Sequence, residues 1–207
     1  MKETEDYFPI WQRMRTFTHA RTANTMDECW MMQHNAVYTL GQAGRPEHIL
    51  EAPDVPVIKS DRGGQVTFHG PGQLVVYPLI DLRRKKLGIR ELVTRYESIV
   101  IDVLDSLDLK AYARKDAPGV YVHCQGQEHK IAALGLRVHK GCAYHGFCLN
   151  VAMDAAPFDR INPCGYAGMK VCSVADLVGN VSFEVVQDMI LQCLVKHLQY
   201  SVVEYAG

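Results

Sequence analysis

The sequence predicts an α+β fold, a mixed β-sheet flanked by helices, on three observations. Short runs of β-branched and aromatic residues follow one another with few helices between them. Apolar residues recur at helical spacing near the start, in the middle and towards the end of the chain. Glycine and proline punctuate the β-rich runs where turns are needed. The 207 residues carry no internal repeat and no low-complexity linker, so a single domain is predicted over residues 1–207. A chain of that size buries about 70% of its unfolded surface and supports a full hydrophobic core.

Each element has its own signal. Ile10, Trp11, Met14 and Phe17 share one face and predict an amphipathic helix over residues 9–22. Residues 29–40 are rich in apolar, aromatic and β-branched types and predict one or two strands ending at Gly41. Residues 55–59, 65–69 and 73–82 predict further strands, broken by Gly63-Gly64 and Gly70-Pro71-Gly72. Leu92, Tyr96, Ile99, Val100, Val103 and Leu107 line one side of a helix predicted over residues 89–107. Strands are predicted at 120–123, 130–138 and 143–151, the last two joined by a turn at Lys140-Gly141. A closing helix over residues 183–198 leads into a short apolar tail with strand character.

Composition excludes several function classes. Hydrophobic residues make up 48% and charged residues 22%, as in ordinary soluble proteins. A net charge of −1 gives no bulk electrostatic case for a nucleic acid or membrane partner. The opening Met1-Lys-Glu-Thr-Glu-Asp is polar and acidic, unlike a secretory signal, and no run approaches the length of an apolar membrane span. No two of the seven cysteines form a C-x-x-C pair, which argues against a zinc site. An odd number of scattered thiols suits a reducing cytoplasm, and no metal is expected.

Three segments carry chemistry. Ser60-Asp-Arg-Gly-Gly-Gln-Val-Thr-Phe-His-Gly-Pro-Gly-Gln73 sets Arg62, Gln65, His69 and Gln73 beside glycines that let backbone approach a ligand. It is neither a Walker loop nor a Rossmann fingerprint, and its bland reading is a tight hairpin. In His129-Lys-Ile-Ala-Ala-Leu-Gly-Leu136, Lys130 opens an otherwise uncharged run; it either snorkels to water or stands beside a reactive group. In Arg160-Ile-Asn-Pro-Cys-Gly-Tyr-Ala-Gly168, Cys164 sits between Pro163 and Gly165 on a loop of fixed shape. Cys29, Cys148 and Cys193 lie in apolar segments and read as small hydrophobes, so Cys164 is the best candidate nucleophile by setting.

Together, Arg62-Gly-Gly-Gln-Val-Thr-Phe-His-Gly-Pro-Gly-Gln73, Lys130-Ile-Ala-Ala-Leu-Gly135 and Ile161-Asn-Pro-Cys-Gly-Tyr-Ala-Gly168 resemble the lipoyl(octanoyl) transferase family. Supporting stretches lie at Gly41-Gln-Ala-Gly44, Asp116-Ala-Pro-Gly-Val-Tyr-Val122 and Tyr144-His-Gly146, and the likeness spans residues 7–169. The resemblance implies a biotin/lipoate ligase-like catalytic domain. It implies Cys164 as the acyl-accepting nucleophile and Lys130 as the group that lowers its pKa and moves protons. The implied acyl-binding residues are Arg62, Gly63, Gly64, Gln65, Val66, Thr67, Phe68 and His69, with Ala133, Leu134 and Gly135 and with Gly146, Phe147 and Cys148. The implied reaction is octanoyl transfer from octanoyl-acyl carrier protein, through a Cys164 thioester, to a lysine of lipoyl domains. Those acceptors are the lipoyl domains of 2-oxoacid dehydrogenases and the glycine cleavage H protein. Phosphopantetheine arrives on the donor, and no ATP or metal is expected.

Three departures from the family pattern bear on this reading. Phe68 replaces a tyrosine, Gln125-Gly-Gln-Glu128 lengthens the turn before Lys130, and a short strand ahead of the first helix is expected to be missing. The rival readings are an ATP-dependent ligase of the same fold and a non-catalytic acyl-carrier-binding module. A further expectation attaches to Arg83-Arg-Lys-Lys86, the densest basic run, as a steering site for an acidic carrier protein or as a solvated turn.

Overall fold

A computed structural model describes residues 4–51 and 54–205, with the side chain of Cys164 outside the described set. Strands β1 (Thr4–Glu5), β2 (Glu28–His34), β6 (Gln73–Asp81), β10 (Cys142–Asn150), β9 (Gln127–His139), β8 (Gly119–Cys124) and β7 (Ala111–Ala113) lie in that order in one mixed sheet. β11 (Lys170–Val171) pairs in parallel with β9 outside that path. A second sheet has the order β4 (Val57–Lys59), β3 (Val37–Leu40), β5 (Val66–His69).

Strand alternation divides the large sheet into two different faces. From β6, Leu74, Val76 and Ile80 join a core built with α3 (Ile89–Asp105) and α5 (Phe183–Leu198). The intervening Val75, Tyr77 and Leu79 face α1 (Tyr7–Ala20) through Ile10 and Met14. The small sheet roofs the same side, with Tyr38, Val66 and Phe68 packed on Met153, Phe158 and Ile161.

The helices form for local reasons. α5 buries Val186, Ile190, Leu194 and Leu198 at four-residue steps, and the Ser182 hydroxyl accepts the Val185 N–H at its start. α2 (Leu82–Lys85) is one short turn capped by the Asp81 carboxylate, and α3 buries Leu92, Tyr96, Ile99, Val100 and Val103 on one side. α4 (Val174–Val178) carries no periodic stripe, yet Ser173 and Asp176 close a capping box around it.

Several expectations change. β1 pairs in parallel with β2, so the leading strand expected to be missing is present; two residues are too few for periodicity to register. The Gln125-Gly126 insertion becomes a two-residue turn with φ of 51° and 77°, which lengthens the β8–β9 hairpin. Lys140-Gly141 forms the expected turn between β9 and β10 in the same way, with φ of 46° and 79°. The described part of the tail, through Tyr205, has no strand.

Candidate active site

The glycine segment is held against the sheet by its own backbone. Gly63 N–H donates to the Leu136 carbonyl at 3.0 Å. A Cβ on Gly135 would stand 3.0 Å from the Gly63 oxygen, and one on Gly41 would stand 2.3 Å from the Gly64 oxygen. The glycines therefore permit close backbone packing as well as access to a ligand. Arg62 is 7% exposed and donates to Thr39 Oγ1, to the Thr39 carbonyl and to the carbonyls of Gly63 and Gln65. It braces the loop that it belongs to.

Beneath this loop lies a narrow cleft between the small sheet and strands β9 and β10. Arg62, Gly64, Gln65, Val66, Thr67 and His69 line it from one side. Ala133, Leu134, Gly135, Gly146, Phe147 and Cys148 line it from β9 and β10. Gly63 lies behind the wall. Phe68 faces away, by the alternation of β5, onto Tyr38 and Phe158 with ring centroids 5.3 and 5.8 Å apart. Phe68, implied by the resemblance as an acyl-binding residue, is thus outside the lining of the cleft.

The cleft ends in a polar layer that the sequence only partly revealed. Tyr7, His69, Tyr77 and His145 line it, and each is tied down behind. The Tyr7 and Ser60 hydroxyls share a hydrogen bond of 2.7 Å, and His69 Nδ1 lies 2.7 Å from Gln73 Oε1. His34 Nδ1 donates to the Glu5 carbonyl at 2.9 Å, which leaves Nε2 of the neutral ring to accept from the Tyr77 hydroxyl at 2.7 Å. His145 has φ of +58° inside β10, an uncommon conformation for a non-glycine residue, and its ring is held by Asp61 at 2.8 Å.

Asp61 also accepts from the Trp11 indole N–H and the Tyr144 hydroxyl, so it ties α1, the glycine loop and β10 together. Burial pushes the Asp61 carboxyl up, but its bonds from His145, Tyr144 and Trp11 hold it well below the usual range. Burial lowers His34 and His145 and, with the nearby His34 and Arg62, depresses His69 to about 3. All three rings are neutral at pH 7. The polar layer comes from α1, β2, β5, β6 and β10, so no single local motif announces it; Ser60, Asp61, His69, Gln73 and Tyr144-His-Gly146 fell inside stretches already singled out, whereas Tyr7, His34 and Tyr77 were not marked as polar site residues.

A smaller cavity opens beside the cleft and shares Thr67, Ala133 and Cys148 with its lining. Lys130 and Pro163 both line this second cavity, which brings the lysine to the loop that carries Cys164. That loop is fastened at both ends. Ile161 bridges to Ile49, Asn162 N–H donates to the His48 carbonyl at 2.8 Å, and Val171 pairs with Lys130 in register. Cys164 occupies the middle of a single 3-10 turn, Pro163–Gly165, closed by Gly165 N–H on the Asn162 carbonyl.

Lys130 does not snorkel. It is 4% exposed, and its Nζ donates to the Pro118 carbonyl at 3.0 Å and stands 5.3 Å from the centroid of the Tyr121 ring. Gly119 makes room for it, since a Cβ there would lie 2.4 Å from Lys130 Cε. Among the described residues, no group of three His, Cys, Asp or Glu side chains converges as a metal site requires, and no helix is long and apolar enough to cross a membrane.

The basic run is placed elsewhere. Arg83 bonds Asp81, Arg84 bonds Asp27, and Lys85 donates to the Leu198 and Gln199 carbonyls at the end of α5. The run follows Asp81, the far end of β6 from Gln73, which lines the Lys130 cavity. Eight residue steps of strand separate the two ends by roughly 26 Å. The run is braced as a structural corner at the end of β6 away from the Lys130 cavity.

Solved structures share this architecture. The bi-partite lipoate protein ligase of Thermoplasma acidophilum superposes with a TM-score of 0.73 at 16% identity, over 94% of this chain and 82% of that one. The biotin protein ligase of Aquifex aeolicus, in complex with biotin and ATP, gives 0.53 at 16% identity over 79% and 70%. The fold is thus that of the lipoate- and biotin-attaching enzymes. Residues 6–195 match the family described as lipoyl protein ligase A/B catalytic domain. The octanoyltransferase of Vibrio cholerae serotype O1 is 56% identical over 98% of this chain and 91% of its own. That of Shewanella denitrificans is 53% identical over 98% and 88%. The chain belongs to the lipoyl protein ligase A/B catalytic-domain family and, within it, to the octanoyltransferases.

Proposed function

We propose that this chain, as a single catalytic domain, moves an octanoyl group from an acyl carrier protein thioester onto a lysine of a lipoyl domain, through a thioester on Cys164. The observation that carries the reading is the buried Lys130, lining with Pro163 a cavity that shares Thr67, Ala133 and Cys148 with the walls of the cleft. The Cys164 thiolate attacks the donor carbonyl, the carrier's pantetheine thiol leaves, and the octanoyl chain lies in the cleft. The acceptor lysine amine then attacks the new thioester, releasing the Cys164 thiolate as the amide forms. One thioester replaces another in the first step, and amide formation runs downhill in the second, so ATP has no part to play.

A free thiol with a pKa of about 8.5 is only about 3% ionised at pH 7. A cation within about 4–6 Å favours the thiolate, and a drop of about two pKa units would make it roughly three-quarters ionised. Lys130 supplies that cation in the first step. Acylation removes the sulfur's charge, so the lysine holds its proton less tightly; it gives that proton to the departing pantetheine thiolate and, now neutral, accepts one from the incoming amine. The donor and acceptor proteins implied by this chemistry are cytoplasmic.

The test is transfer from octanoyl-acyl carrier protein to a lipoyl domain, with and without ATP. Equal rates are expected, with an octanoyl mass gained on the acceptor lysine. A requirement for ATP would make the chain a ligase, and binding of the carrier protein without transfer would make it a docking module.

A further inference from the structure

Helices α3 and α5 present an apolar surface to the sheet with one buried charge, Glu97, 8% exposed among Leu92, Tyr96, Val100 and Val103. A carboxylate in such a place is costly unless something answers it. Its Oε1 accepts the Gly119 N–H at 3.1 Å. The carbonyl of the same peptide unit belongs to Pro118, and it accepts Lys130 Nζ at 3.0 Å. One peptide group therefore stands between an ammonium and a carboxylate, with its oxygen towards the cation and its N–H towards the anion. Each charge orients and strengthens the hydrogen bond of the other.

Gly119 is also the point where the lysine stem crosses the chain. A Cβ there would lie 2.9 Å from Lys130 Nζ, and its φ of +146° is a conformation that side chains rarely adopt.

We propose that Glu97 is a positioning residue for Lys130, fixing the ammonium through the Pro118–Gly119 peptide and supplying the second counter-charge that keeps it protonated. This rests on the reading of Lys130 as the partner of Cys164. Burial pushes the Glu97 carboxyl up, while the Gly119 N–H and Lys130 draw it back. Other charges near α3 are engaged elsewhere: Lys196 and His197 bond Asp102, Arg95 bonds Glu91, and Arg114 pairs with Asp116 and Glu128. The functional consequence lies in the second step. When the acyl group caps the sulfur, one anion is lost and Glu97 remains, so Lys130 keeps part of its proton affinity and stays an effective base.

The variant Glu97→Gln keeps the volume and the acceptor oxygen for Gly119 and removes only the charge. Two pH profiles read the result: iodoacetamide labelling of the Cys164 peptide by mass spectrometry, and octanoyl transfer from the isolated acyl-enzyme. Loss of a nearby negative charge favours the thiolate and weakens the lysine's hold on its proton, so both midpoints should move to lower pH, by about one unit. Lys130→Met should move the thiol midpoint the opposite way. If Glu97→Gln leaves both midpoints in place, or raises the thiol midpoint, the counter-charge role is wrong. If Lys130→Met leaves the thiol midpoint unmoved, the lysine–cysteine reading itself fails. Should Glu97→Gln not fold, carbon-13 titration of the Glu97 carboxyl in Lys130→Met protein replaces it. A rise of about one unit relative to wild type is expected, and no rise would overturn the pairing.

Discussion

The two faces of the large sheet are built from the same strands and do opposite jobs. Towards α3 and α5 the sheet presents Leu74, Val76, Ile80 and Leu149 to a dry helical layer. Towards α1 and the small sheet it presents Val75, Tyr77, Tyr144 and Cys148, interleaved with Gln73 and Asn150 and facing His34, His69 and His145. A buried polar group is costly unless it is bonded. On the second face nearly every such group has a named partner: Gln73 bonds His69 and Asn150, and Asn150 bonds the Cys172 carbonyl. The concentration of satisfied polar burial on one face marks the site more clearly than the cleft does. The faces meet at the Pro118–Gly119 peptide, where Glu97 from the helical side reaches Lys130 from the other.

This contrast is open to attack from either side. Lys130→Met should lower octanoyl transfer by about 10²–10⁴-fold, the usual contribution of a positioned acid–base group, with the protein still folded by circular dichroism. A loss below that range would move the chemistry away from this lysine. On the helical face, Ile99→Ala should cost about 2–5 kcal/mol in urea unfolding, because the side chain is fully buried and its cavity cannot refill. Its kcat/KM per folded molecule should not change; a change would mean that the helical layer shapes the site.

Acidification should separate the faces more gently. His34, His69 and His145 are held below the ordinary 6.5, so the unfolded chain takes up protons before the folded one does. Their contribution to stability is fully present above pH 6.5 and is lost as pH falls towards the folded values, which for His69 is about 3. Each histidine adds at most about 1.4 kcal/mol per pH unit in that window. Urea midpoints against pH should slope accordingly, and His69→Gln should flatten the slope. An unchanged slope would show that this ring titrates normally.

Much of this fold was legible because its cues are local. The stripes Leu92–Tyr96–Ile99–Val103 and Val186–Ile190–Leu194, and the turn at Lys140-Gly141, announce themselves within a few residues. β1 and β7 escaped, since two or three residues carry no period. α4 also escaped, although Ser173-Val-Ala-Asp176 held a capping signal. The glycine segment, Lys130 and the Cys164 loop were recognisable as motifs, and the fold brings Lys130 and Pro163 to one cavity. Tyr7, His34, Tyr77 and Glu97 were not, because each acts through a partner at least 22 positions away along the chain. Arg83-Arg-Lys-Lys86 left two readings open from sequence, and its bonds to Asp81, Asp27 and the end of α5 show a charge run that also braces a corner.

The central claim is that the acyl group passes through Cys164. The most direct test incubates the protein with octanoyl-acyl carrier protein alone, then measures intact mass and maps the modified peptide. The account predicts a single octanoyl adduct, removed by hydroxylamine, on the peptide containing Cys164, and no adduct in Cys164→Ala. An adduct on Cys148 or Cys172, or full transfer by Cys164→Ala, would contradict it.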